Sequence, residues 1–153
     1  MRHFGFFVVC ALAMMLSGCG GGGGSNSTVN GNWSATLTNV DGSTALAFNL
    51  TLTENSSGAV SVSNLAFNTQ TSCFGSGSTG AGTFTLTGDT NGVTTGSLQL
   101  TIQSSADNGS NQLTLNGTLN QSAGSNIITG TWSLSGTGSG CTGNGNFTMG
   151  PAS

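Results

Sequence analysis

Thr44-Ala45-Leu46-Ala47-Phe48-Asn49-Leu50-Thr51-Leu52-Thr53 carries a large apolar side chain at every second position of a ten-residue run. On a helix of 3.6 residues per turn, Leu46, Phe48, Leu50 and Leu52 would spread around the axis; on a strand all four fall on one face. The residues between them are small or polar, so this is a strand with one dry face and one wet face. The same rhythm governs the chain on either side. It runs through 31–39 (Trp33, Ala35, Leu37), 59–69 (Val60 and Val62, then Leu65 and Phe67), 80–88 (Phe84, Leu86) and 93–104 (Leu98, Leu100, Ile102). It continues through 111–121 (Leu113, Leu115, Leu119), 127–137 (Ile128, Trp132, Leu134) and 143–149 (Phe147, Met149). Between Val62 and Leu65 the phase slips, and the slip predicts a bulge near Ser63-Asn64.

The connections match the strands. Asp41-Gly42, Ser57-Gly58, Asn91-Gly92, Asn108-Gly109 and Ala123-Gly124-Ser125 each suit a tight hairpin. Eight strands joined by hairpins make an all-β, antiparallel up-and-down meander, and pairing the eighth strand with the first closes it as a small barrel. A two-sheet β-sandwich is the alternative. Closure has a physical motive, because strands without lysine or other charge protect an open sheet edge poorly.

The composition narrows the chemistry. The chain has 153 residues, of which Gly, Ser, Thr and Asn make up more than half, with four acidic residues, one Arg (Arg2) and one His (His3). Residues 1–18 have a basic start, an apolar run from Phe4 to Leu16 and small residues after it, the layout of a secretory signal. Cleavage after Gly18 would leave a chain with no Lys, Arg or His. Histidine bases, Ser-His and Cys-His pairs, lysine Schiff bases and arginine clamps then drop out, and nucleic acid is excluded as a partner. Residues 19–29 read as a cysteine followed by a Gly/Ser-rich tether, and residues 30–153 as a single barrel domain.

Leu16-Ser17-Gly18-Cys19 resembles the lipobox of bacterial lipoproteins. That resemblance implies that Cys19 becomes the first mature residue and receives acyl chains such as palmitate, making the membrane a partner through a lipid anchor. Gly20, rather than Asp, follows Cys19, which under the enterobacterial sorting rule implies the outer membrane of the cell envelope. Gly31-Asn32-Trp33, echoed by Gly130-Thr131-Trp132, resembles the Gly-x-Trp of lipocalins and the Gly-Thr-Trp of avidin-type barrels. Over most of 31–149 the chain is also similar to Gly/Ser/Thr-rich β lipoproteins of bacteria, through Gly130-Thr131-Trp132, Cys141, Gly145 and Phe147-Thr148.

Four cysteines are present. Cys10 leaves with the signal and Cys19 takes lipid, so Cys73 and Cys141 remain as a pair in an oxidising compartment, and a disulfide is expected. Alternate loops of a meander share one end of the barrel. Cys73 and Cys141 lie in the third and seventh loops, so both fall at one end, with the tether at the other.

No metal site and no cofactor are expected, since neither cysteine lies in a CxxC and no His completes a zinc set. The acidic residues Asp41, Glu54, Asp89 and Asp107 sit beside turns, where they solvate the chain; glycoside hydrolysis by two of them is the residual enzymatic reading. The expected function is non-enzymatic: the distal loops 70–82, 106–110 and 138–144, or the barrel interior, meet a small ligand or an envelope partner. The candidate ligand-lining residues are Trp33, Trp132, Phe48 and Phe84, and their character makes an interior ligand apolar. The alternative is a structural envelope protein with no internal site.

Overall fold

The computed structural model describes residues 29–153 except 70, 92, 105–109 and 123–124, with the backbone alone at 89 and 90. Eight strands follow one another: β1 Gly31–Asn39, β2 Thr44–Glu54, β3 Ala59–Phe67, β4 Thr79–Thr90, β5 Val93–Gln103, β6 Gln112–Ser122, β7 Ser125–Ser135 and β8 Gly143–Pro151. Each pairs antiparallel with its neighbour in sequence, and β8 pairs with β1 to close the barrel. The β1–β8 seam holds seven residue pairs, from Trp33 opposite Pro151 to Asn39 opposite Gly145, which overturns the sandwich alternative.

Apolar alternation sets which face turns inward. Leu46, Phe48, Leu50 and Leu52 are all buried, as are Trp33, Ala35 and Leu37 on β1 and Leu98, Leu100 and Ile102 on β5. The phase slip is a bulge: Thr51 pairs with Ser63 and Asn49 with Ala66, so Asn64 and Leu65 together face Leu50. Asn64 has a φ of 51°, the left-handed conformation that lets the extra residue be absorbed without losing the dry face. At the first hairpin, Gly42 has a φ of 85° and its amide donates to the Asn39 carbonyl at 2.9 Å. Asp41 Oδ1 accepts from the Ser43 amide and hydroxyl. At Ser57-Gly58, Gly58 has a φ of 79°, and Asn55 Oδ1 takes the amides of Ser57 and Ala59. Thr90 pairs with Val93, leaving two residues to connect them where Asn91-Gly92 was expected, and Ser122 pairs with Ser125, so Ser125 of the expected Ala123-Gly124-Ser125 turn belongs to the ladder.

Several boundaries move. β3 stops at Phe67, not 69, because the amides of Asn68 and Thr69 both turn to the Ala47 carbonyl. β4 is longer at both ends, β2 and β6 gain a residue at their C-terminal ends, β5 ends at Gln103 and β8 reaches Pro151. β7 starts at Ser125, within the expected turn, and ends at Ser135 rather than 137. Val29, assigned to the tether from sequence, belongs to the barrel: it is fully buried, and its amide donates to Glu54 Oε2 at 3.3 Å. The Asn108-Gly109 turn lies outside the described residues.

Aromatic rings fill the interior over glycines. A Cβ on Gly96 would lie 2.1 Å from the Phe84 ring, and one on Gly117 would lie 2.6 Å from the Phe147 ring. Side chains of that size need a facing residue with none.

Candidate functional site

The end of the barrel away from Val29 is knitted together by its loops. Cys73, in the β3–β4 loop, and Cys141, in the β7–β8 loop, form a disulfide with Cα atoms 5.4 Å apart, as the count of alternate loops requires. The β5–β6 connection joins them through Asn111. This fully buried side chain donates from Nδ2 to the Cys73 carbonyl at 3.0 Å, and the main-chain carbonyl of Asn111 accepts from the Ser104 amide at 2.9 Å. Gly136 makes room for it, since a Cβ there would lie 2.0 Å from Asn111 Oδ1. Asn111 was read from sequence as the start of a strand, and nothing in the pattern marks it as the tie between loops. Loop residues 106–109 lie outside the described set.

Among the described residues, clefts of different sizes open at this end, and two of them exceed 400 Å³. The first, of about 420 Å³, lies beside the disulfide and is bordered by Asn39, Thr44, Thr71 and Thr142, with Trp132 and Cys73 in its wall. The second, of about 410 Å³, lies against the upper part of β3 and is lined by Leu65, Phe67, Thr71 and Phe74. Thr71 borders both, so the β3–β4 loop divides them. Both volumes fall in the size range of small-ligand sites.

The four aromatic candidates do not share one space. Trp33 stands at the tether end, its indole N–H donating to the Val29 carbonyl at 2.8 Å. Trp132 stands towards the bridged end, donating to the Thr38 carbonyl at 2.9 Å. Each buried indole thus satisfies a main-chain carbonyl. Phe84 is committed to Gly96. Phe48 packs at 5.3 Å on Phe67, which stacks at 5.0 Å on Phe74 from the loop. Only Trp132 of the four reaches a described cleft. Phe74 was missed in the sequence, although an aromatic residue directly after a loop cysteine is a signal for a buried loop anchor.

The acidic residues divide between the ends. Asp41 is at the bridged end, where the Ser43 hydroxyl and then the Ser43 amide hold its pKa below the usual value. Glu54 closes β2 at the tether end. Asp107 and the side chain of Asp89 lie outside the described residues, as does Cys19. Among the described residues, no three His, Cys, Asp or Glu gather to hold a metal ion. Among the described residues, no helix is long and apolar enough to cross a membrane.

The chain matches no protein-family model and no curated protein.

Proposed function

We propose that this chain is a lipid-anchored barrel of the bacterial cell envelope, in the outer membrane and without catalytic activity, that offers the cleft beside its disulfide to a small ligand or an envelope partner. The observation that carries the reading is the separation of ends. Residue 29 enters the barrel beside Glu54, while the bridge, Asn111 and the Trp132 cleft occupy the opposite rim. A protein held by Cys19 would thus turn the cleft away from the bilayer. The cleft rim is hydroxyl and amide, which suits a polar ligand such as a glycan, bound through hydrogen bonds and one indole. An apolar ligand inside the barrel is less well supported, since Phe84 and Phe147 already fill the room left by Gly96 and Gly117. The same filling favours the structural reading, in which the rim meets another envelope component directly.

Two measurements test this. Mass spectrometry of the N-terminal peptide from the bacterial envelope should find Cys19 acylated, and Cys19→Ser should move the protein to the soluble fraction. In a Trp33→Phe variant the remaining indole, Trp132, reports on the cleft. Titration with envelope glycans should shift its emission, and no response to glycans or to extracted lipids would leave the structural role.

A further inference from the structure

Four large apolar side chains stay exposed among the described residues: Val40 at 80%, Leu86 at 46%, Val93 at 40% and Ile127 at 39%. Val40 stands alone on the β1–β2 hairpin at the bridged end. The other three lie together at the tether end, near the lower ends of β4, β5 and β7. Their common placement follows from the ladder lengths. β4–β5 and β6–β7 each form eleven residue pairs, whereas β3 meets β4 in three, from Ala59 opposite Thr83 to Ser61 opposite Ala81. The Phe84 amide donates to the Gly58 carbonyl of the β2–β3 turn. Beyond it β4 runs on for six more residues, about 20 Å at the rise of a strand. No described strand pairs with that stretch on its β3 side.

The directions of the three side chains follow. Thr94 and Ile128 are buried, so Val93 and Ile127, their neighbours in sequence, point outward. Leu86 is paired with Gly96 on the inner face, three residues beyond the Thr83–Ala59 pair with which the β3–β4 ladder begins, so no β3 residue pairs beside it. Two hairpin tips therefore carry an apolar rim on the side where the chain enters.

Where that chain comes from decides what covers the rim. Nine residues, Gly20 to Thr28, separate Cys19 from Val29, and five of them are glycine. Nine residues reach at most about 32 Å even fully extended, so an anchored barrel keeps this rim within that distance of the bilayer, at an effective concentration in the millimolar range. We propose that Leu86, Val93 and Ile127 rest on the lipid surface and hold the barrel upright on its anchor. The inference rests on the anchored reading of Cys19 and adds an orientation to it.

The contact has an unusual chemistry. The only Arg and His are Arg2 and His3, and there is no Lys, so attraction to anionic headgroups is unavailable. Glu54 closes β2 at this end, and its carboxylate disfavours an anionic surface. The rim therefore suits neutral lipid, and its contact is insensitive to salt. Three partly exposed side chains are too little to recruit a free protein, given that even one acyl chain binds reversibly. The contact forms because the tether has already brought the surfaces together.

The test uses the full, acylated chain in phosphatidylcholine vesicles that include acyl-brominated phosphatidylcholine. Val93→Trp, Ile127→Trp and, as a far-end control, Val40→Trp each place an indole at an exposed strand or turn position, and wild-type emission supplies the baseline for Trp33 and Trp132. Emission at 93 and 127 should be quenched at least about twofold more than at 40, consistent with burial at the lipid boundary. That difference should persist between about 0.05 and 0.5 M salt. Equal quenching at all three positions in acylated protein that floats with the vesicles overturns the rim contact and leaves the anchor standing. A response at 93 and 127 that tracks protein density instead of brominated lipid also overturns it, by showing that the rim pairs with a second copy. A chain that carries no acyl group and stays in the aqueous phase overturns both readings.

Discussion

The two ends of this barrel are closed by different means. At the bridged end, the described parts of three loops meet, and a disulfide, the buried Asn111 amide and the Phe67–Phe74 stack hold them. At the tether end, the connections are tight turns, and closure is left to Val29 under the Trp33 indole and to the capping of Val29 by Glu54. The difference shows where each end draws its order from. Short hairpins carry their geometry in their own residues, as Gly42 and Gly58 do, and need no help from afar. Long loops rich in Gly and Ser have no such preference, and their order must be imposed by contacts between segments distant in sequence. A site built on the bridged end is therefore held by a few strong ties, and each is open to removal.

The largest expected effect comes from cutting the covalent tie. Cys73→Ser with Cys141→Ser releases a closed loop with a sequence separation of 68. On the chain-entropy account this lowers stability by about 4 kcal/mol, a large share of what a domain of this size has. Urea unfolding of the oxidised, reduced and doubly substituted proteins should place the last two together at a lower midpoint. Equal midpoints for all three would mean that the loops are ordered without the bridge. Next in size is the shared interior, which neither end controls. Gly96→Ala drives a methyl group into the Phe84 ring, and Gly117→Ala does the same against Phe147. Overpacking of this kind costs about 1–3 kcal/mol. Pairing Gly96→Ala with Phe84→Leu should recover part of the loss, whereas simple strand-propensity effects of Ala would not depend on residue 84.

How legible this molecule is from its sequence follows from the same contrast. Leu46, Phe48, Leu50 and Leu52 announce a strand because large side chains mark the inward face, and the slip at Ser63-Asn64 announces its bulge for the same reason. The bridge was legible too, through the parity of loops. What stayed hidden was carried by residues that break the pattern while obeying the geometry. Gly96 and Gly117 point inward but have no side chain to signal it. Gln121 and Asn126 pair across β6 and β7 on the inward face, and such polar residues beside Gly124 read as turn. The start of β7 was therefore placed two residues late. Val29 looked like tether because its burial depends on Trp33 and Glu54, not on its neighbours. The cleft depends on Phe74 stacking on Phe67 and on Asn111 reaching Cys73, contacts between loops that no local period records. Of the aromatic candidates, Trp132 was placed at a cleft, while Trp33, Phe48 and Phe84 proved to be packed elsewhere in the barrel.

Effects of comparable size sharpen the comparison of ends. Asn111→Ala leaves the Cys73 carbonyl without its buried amide donor, and Trp33→Phe does the same to the Val29 carbonyl at the other end. Each loss should be about 1–3 kcal/mol, the cost of stranding a buried polar group. Their consequences for exchange should differ. Amide hydrogen exchange should accelerate across 71–78 and 136–142 in Asn111→Ala, and near 30–34 and 52–54 in Trp33→Phe. Acceleration confined to one shared set of amides in both variants would mean that the barrel opens as a unit, and that the ends are not independently closed.

The smallest effect lies in the one turn at the bridged end that orders itself. Ser43 donates its hydroxyl at 2.6 Å and its amide at 2.9 Å to Asp41 Oδ1, and these bonds favour the charged carboxylate in the folded protein. The folded pKa is thus depressed relative to the unfolded chain. The stabilisation is in place above the unfolded value, near pH 4 for an aspartate, or about 3.9, and is lost as the pH falls through the folded value. Asp41 is fully exposed, so solvent screening keeps the contribution slight. A wild-type stability profile should fall on acidification in this window, and Ser43→Ala should make that fall shallower because the hydroxyl's share of the depression is lost while the amide of residue 43 still donates. NMR titration of the Asp41 carboxyl supplies the decisive reading: a midpoint below that of an unfolded reference in wild type, returning towards it in Ser43→Ala. If the midpoint does not move, the turn is set by Gly42 and its left-handed backbone alone, and the side-chain cap adds nothing to the hairpin that frames the cleft.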